Sequence, residues 1–76
     1  MNRFGYVMSL YKDANKRCFD SKDEAFVKMH EEANLVAQAN NAEVKDFGNE
    51  ILIIKDNDQI GRFEMLYTHS THIIHN

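Results

Sequence analysis

Three histidines near the end of the chain are the residues whose spacing most suggests chemistry. His69, His72 and His75 repeat at every third position. On a helix this spacing would place neighbouring rings on one flank, where two could share a zinc or nickel ion with His30 as a further ligand. On a strand, His72 would face away from the other two. Because no cysteine or nearby carboxylate completes the cluster, we predict a polar tail over residues 69–76 without bound metal, and metal binding is an alternative function.

A small basic cluster around the first predicted turn could bind nucleic acid. Its basic members are Arg3, Lys12, Lys16 and Arg17. Tyr11 lies among them and could stack on an unpaired base, as in proteins that bind single strands. Asp13 and Asp20 dilute the positive charge, and the whole chain has nine basic and twelve acidic residues, a net charge of -3. Nucleic-acid binding is therefore a second alternative rather than the leading hypothesis.

The sequence lacks the motifs of common enzymes and cofactor sites. It has no nucleophile-elbow serine, no phosphate-binding glycine loop and no helical zinc-protease pattern. Asp56 and Asp58 bracket an asparagine, but the loop lacks the glycine and the distal glutamate of an EF-hand, so we interpret it as a turn. Cys18 cannot form an internal disulfide, and we expect it to be a small apolar filler beside Phe19. We therefore predict a protein that is not an enzyme and has no cofactor.

Length and composition predict one small domain. The 76 residues leave room for a single core, which we place within residues 1–68, and the hydrophobic fraction of 43% excludes a fully disordered chain. No segment approaches the ~18 apolar residues of a membrane span, and the N-terminus lacks the apolar run of a secretory signal. We therefore expect a cytoplasmic protein without a membrane partner.

The strongest local pattern is a helix that begins after Ser21 and extends to about Asn40. Ser21 and Glu24 have the spacing of a capping box, in which each side chain satisfies a backbone N–H of the other residue. Asn40 and Asn41 then provide a stop, because asparagine tolerates the left-handed conformation that ends helices. Winding the segment at about 100° per residue predicts one apolar stripe that faces the core. Its members are Ala25, Phe26, Met29, Ala33, Val36, Ala37 and Ala39.

The other segments predict strands. Strands are expected at residues 6–10, 43–47, 50–55 and 59–67, with a short one at 17–19 after a polar turn over 12–16. The predicted fold is α+β: a small antiparallel-rich sheet of four or five strands, in the order β-(β)-α-β-β-β, packed on one amphipathic helix.

The four consecutive apolar residues from Ile51 to Ile54 suggest that the sheet is apolar on both faces. One helix can cover only one face. Either Ile51 and Ile53 or Leu52 and Ile54 would then lie on the opposite face, together with Val7, Tyr11 and residues of the last strand. We expect this face to be covered by the tail, by a second copy of the chain or by a different protein.

The helix side that faces away from the core supplies the other candidate surface. Glu24 and Glu31 flank Leu35 there, and a leucine exposed between acidic residues could anchor a partner. Tyr11 and Tyr67 complete the predicted partner-binding set. In size and in its lack of catalytic motifs, the chain resembles the small single-domain proteins that phages and other mobile elements encode to block a host factor. This resemblance implies a non-enzymatic inhibitor or regulator that binds another protein. The uncovered sheet face separately allows a homodimer through the sheet.

Overall fold

The computed structural model describes residues 4–67, apart from the side chain of Tyr67, and confirms the predicted fold class. One helix packs on a five-stranded antiparallel sheet with the strand order β2-β1-β5-β4-β3. The elements are β1 (Phe4–Leu10), β2 (Asp13–Phe19), α1 (Lys22–Asn40), β3 (Glu43–Asp46), β4 (Glu50–Lys55) and β5 (Asp58–Tyr67). The predicted tail over residues 69–76 lies outside the described residues.

The first hairpin differs from the prediction. Its turn is only two residues long, Tyr11 and Lys12, so that β2 begins at Asp13 rather than at Arg17. Tyr11 has a φ of 54°, in the left-handed region that a two-residue hairpin turn requires. β2 is an edge strand in which every residue except Phe19 is exposed. Such a strand has no apolar alternation, and its polar first half therefore has the composition of a loop.

The helix is capped by the Ser21 hydroxyl, which is the first half of the predicted capping box, and by Asn41, the second of the two predicted stop residues. The Ser21 hydroxyl accepts the Glu24 N–H at 3.1 Å. At the other end Asn41 adopts φ 55° and ψ 44°. The Ala42 N–H donates to the Ala37 carbonyl at 2.8 Å, and the Asn41 N–H donates to the Gln38 carbonyl at 3.3 Å. These two bonds form a Schellman motif, which fixes where the chain leaves the helix for β3.

The core lies between the helix and one face of the sheet. Its buried side chains are Tyr6, Met8, Ala25, Met29, Ala33, Ala37, Ile51, Ile53, Phe63 and Met65. Three of the four buried helix residues are alanines, and small side chains let the helix approach the larger sheet residues closely. Of the predicted apolar stripe, Phe26 and Val36 are half-buried and Ala39 is exposed.

The opposite face of the sheet, which we call the outer sheet face, carries Leu52 and Ile54, one of the two predicted alternatives. Strand register also places Val7 there and sets Leu52 between Lys45 and Arg62. All three apolar residues are half-buried, since long charged side chains on neighbouring strands cover part of their surface.

Two ion pairs of Arg62, one to β4 and one within β5, add to this cover. Arg62 pairs with Glu50 and, at 3.3 Å, with Glu64. The same face carries Cys18, opposite Gly5, and the cysteine is exposed rather than an apolar filler. The prediction for Cys18 was wrong because the register turns it away from the side on which Phe19 packs.

Candidate partner-binding surface

The side of the helix that faces away from the sheet carries two exposed apolar residues. Val27 and Leu35 are 51% and 64% exposed, and Glu31 lies midway between them. These three positions follow one another at intervals of four, so their side chains share one side of the helix. We call this side, together with Glu24 one turn earlier, the outer helix face.

The helix register explains why these residues are exposed. The buried residues Ala25, Met29, Ala33 and Ala37 also repeat at intervals of four. The series Val27, Glu31 and Leu35 begins two residues after Ala25, which is a rotation of about 200° around the helix axis. The outer helix face therefore points directly away from the core. Leu35 was predicted there from the sequence and Val27 was not, although the same helical wheel places both on one side.

The outer helix face is acidic as well as apolar. Asp23 and Glu24 lie in the first turn, where negative charge is favoured by the helix dipole. Glu31 pairs with Lys28 at 3.5 Å, but both side chains are more than half exposed and the pair is weak. Leu35 thus lies on a surface whose charged groups remain available to a partner.

One flank of the helix is held to the sheet by Glu32. The buried Tyr6 donates its hydroxyl hydrogen to one carboxylate oxygen of Glu32, and Arg17 on β2 binds the other at 3.2 Å. Burial, followed by the bond to Glu32, raises the pKa of Tyr6 well above its usual value. The phenol is therefore a fixed donor that ties the helix to β1, not an acid–base group.

The opposite flank is held by His30. Its Nδ1 lies 2.9 Å from the Phe26 carbonyl, which can only accept, so Nδ1 carries a proton. Its Nε2 lies 3.1 Å from the carboxylate of Asp46, the last residue of β3. The Gly48 N–H, and after it the His30 ring, lower the pKa of Asp46. Both ring nitrogens of the fourth candidate metal ligand are therefore engaged within the protein.

The structure separates Tyr11 from the rest of the predicted partner-binding set. Tyr11 is 66% exposed and lines a shallow depression on the outer sheet face with Ser9, Gln59 and Arg62. The outer helix face lies on the other side of the sheet. The side chain of Tyr67 is outside the described part. Glu24, Glu31 and Leu35 can thus meet one partner surface together, whereas Tyr11 would need a different one.

The basic cluster is divided in the same way. Register places Lys16 on the outer sheet face, opposite Val7, and Arg17 on the helix side, opposite Tyr6. Arg17 is already bound to Glu32. The three basic residues of this hairpin, including Lys12 in the turn, therefore do not form one positive surface.

The described part of the chain contains neither a candidate metal site nor a membrane-spanning helix. Across residues 4–67, no group of three or more histidine, cysteine, aspartate or glutamate side chains could hold a metal ion. His69, His72 and His75 lie outside that range. No helix within residues 4–67 has both the length and the apolar character needed to cross a membrane.

Comparison of the chain with protein-family models, with curated proteins and with solved structures found no match.

Proposed function

We propose that this chain is a non-enzymatic protein-binding module, an inhibitor or regulator, that contacts its partner through the outer helix face. The observation that supports this most directly is the exposure of Val27 and Leu35 on the side of the helix farthest from the core. A small domain can act without catalysis by occupying the surface of another molecule.

The two apolar side chains are spaced like anchors for a groove. Eight residues of helix separate them, about 12 Å along the axis. Fully burying a valine or leucine side chain contributes roughly 1.5–3 kcal/mol, so the two together could supply much of the binding free energy of a moderate complex. Helices that dock in grooves bind through apolar side chains on a single face.

The flanking charges define the partner further. Glu24 and Glu31 lie on the same face and carry negative charge beside the apolar anchors. A complementary partner would present two apolar pockets with basic residues at their rim, since matched charge gives specificity and speeds association.

The outer sheet face is a weaker candidate. Leu52, Ile54 and Val7 are half-buried there, and Arg62 is paired with Glu50 on β4 and with Glu64 on its own strand. A partner would have to displace or desolvate these ion pairs to reach the apolar residues, which costs free energy. On the outer helix face the pair of Lys28 with Glu31 is more exposed and weak, so a partner would displace it at little cost.

The test is a capture experiment with matched variants. Tagged wild-type protein is used as bait in a cell lysate, beside Val27→Asp, Leu35→Asp and, as a control with an exposed apolar residue elsewhere, Phe47→Asp. Phe47 is 64% exposed in the β3–β4 turn. We expect the wild type and the Phe47 variant to retain the same protein, and both helix variants to lose it at unchanged melting temperature.

Two outcomes would contradict the proposal. Equal capture by all four proteins would remove the outer helix face as the binding surface. Loss of capture in the Phe47 variant alone would move the interface to the β3–β4 turn.

A further inference from the structure

The outer edge of β2 is a long strand edge that lacks a strand partner within residues 4–67. The strand order places β2 at one end of the sheet. It pairs with β1 in one uninterrupted register over seven residues. β3, at the other end, has only four residues, and short edges resist pairing. β2 has no proline or bulge to prevent addition of another strand.

The register shows which backbone groups face outward from β2. The Tyr11 N–H donates to the Ile60 carbonyl at 2.8 Å, toward β5. Backbone groups alternate in direction along a strand, so Leu10 and every second residue before it direct theirs toward β2. Those residues lie opposite the odd-numbered residues of β2. The N–H and C=O groups of Ala14, Lys16 and Cys18 therefore point away from the sheet and are free to bind another strand.

We propose that a second copy of this chain binds here, with the two β2 strands antiparallel about a two-fold axis at Asn15. Ala14 of each copy then exchanges backbone hydrogen bonds with Lys16 of the other. Asp13 of each copy lies directly opposite Arg17 of the other, so the interface contains two symmetry-related pairs of opposite charge.

Three neighbouring registers would also bring outward-facing backbone groups of the two strands together. Each of them, however, places like charges opposite one another. A two-fold axis at Lys16 sets Lys16 opposite itself. An axis at Arg17 sets Arg17 opposite itself, and an axis at Ala14 sets Lys12 opposite Lys16. Like charges directly opposite are destabilising on a sheet. Among the registers centred on residues 14 to 17, the one centred on Asn15 alone avoids them, and Lys12 and Lys16 thereby disfavour its neighbours.

Arg17 can serve both contacts. Its guanidinium has five N–H donors, one of its nitrogens is bound to Glu32, and the side chain remains 45% exposed. Asp13 of the second copy would approach on the same side of the sheet, since residues paired across antiparallel strands share a face. The result is a ten-stranded sheet with both helices on one side. This proposal does not depend on the function proposed for the outer helix face.

Disulfide trapping tests the register. In a pair without mutual hydrogen bonds the two Asn15 Cα atoms would be about 4.5 Å apart, within the range a disulfide bridges. Asn15→Cys in a Cys18→Ser background should form a covalent dimer under mild oxidation. Lys16→Cys in the same background is the control, because the two Lys16 Cα atoms would be diagonal neighbours at about 7–8 Å. Faster cross-linking through position 16 would overturn the proposed register.

Sedimentation equilibrium tests the charge pairs on the full chain without a disulfide. The wild type should change with concentration from 8.9 kDa toward twice that mass. Asp13→Lys would oppose Arg17 in both pairs and should weaken the dimer roughly tenfold. Glu43→Lys makes the same charge change on β3 and should alter the dissociation constant of the dimer less than about threefold. A wild type that stays at 8.9 kDa at millimolar concentration, or equal weakening by both substitutions, would overturn the proposal.

Discussion

Removal of the Glu32 carboxylate should destabilise the protein far more than removal of its neighbour Glu31. In Glu32→Ala the Tyr6 hydroxyl, which is buried, loses its acceptor. An unsatisfied buried hydroxyl costs about 1–3 kcal/mol. Arg17 loses an exposed ion pair worth less than about 1 kcal/mol. We therefore expect a loss of about 2 kcal/mol in the free energy of unfolding.

That loss is large for a chain of this size. A domain of 76 residues is expected to have a total stability of roughly 4–11 kcal/mol. A loss of about 2 kcal/mol should lower the melting temperature by roughly 8–16 °C. Glu31→Ala, in which only an exposed pair with Lys28 is removed, should cost less than about 0.5 kcal/mol. Both variants replace glutamate by alanine in the same helix, so the difference in helix propensity cancels.

A double-mutant cycle isolates the contact between the helix and β1. Tyr6→Phe removes the hydroxyl and leaves Glu32 paired with Arg17, and should cost about 1 kcal/mol. In the double variant neither partner is left unpaired, so its cost should fall below the sum of the single variants by about 1 kcal/mol or more. Urea unfolding followed by circular dichroism measures all four proteins. Additive costs, or equal stability of the Glu32 and Glu31 variants, would refute the inference that this bond ties the helix to the sheet.

Two further predictions concern the strands. Gly5→Ala should destabilise the protein by more than about 2 kcal/mol in thermal unfolding, because an added Cβ would lie 2.1 Å from the Arg17 carbonyl oxygen on β2. A melting temperature equal to that of the wild type would show that β1 and β2 can separate at no cost. Asp46 has a pKa below its ordinary value, chiefly because it accepts the Gly48 N–H. Its contribution to stability is therefore present above the pKa of the unfolded state and is lost as the pH falls through the folded pKa. Stability measured between pH 7 and pH 2 should therefore fall less in Asp46→Asn than in the wild type, and parallel curves would contradict this assignment.

Most of the fold could be predicted because local patterns agreed with the tertiary structure. Ser21 and Asn41 mark the helix ends by short-range chemistry that needs no other part of the chain. The apolar residues from Ile51 to Ile54 predict a central strand, and this segment pairs on both sides. These patterns depend on burial, which sequence periodicity reports well.

The parts that could not be predicted depend on register and on distant residues. The residues of β2 before Phe19 are exposed, so nothing in their order distinguished a strand from a turn. The position of Cys18 followed from its pairing opposite Gly5, which a two-residue turn sets. Tyr6 and Glu32 are separated by most of the first hairpin and half of the helix, and no local rule connects them.

The candidate site was predicted in part. Leu35 was identified from the helical wheel, and the structure shows it exposed beside Glu31. The expectation of an apolar outer sheet face did not take into account that Arg62 and Lys45 lie on either side of Leu52. Strand pairing decides which residues are neighbours on the sheet, and it cannot be predicted from any single segment.

The central position of β5 affects how the chain can acquire its structure during synthesis. The ribosome makes the first hairpin, the helix and the β3–β4 hairpin before the strand that joins the two hairpins into one sheet. Until residues 58–67 have emerged, β1 and β4 lack the strand that lies between them. Tyr6 and Ile51 then lack their partners on β5. Folding therefore has to wait for a late, long-range closure that brings Phe4 beside Tyr67, and a nascent chain paused before β5 would expose its apolar residues to chaperones and proteases.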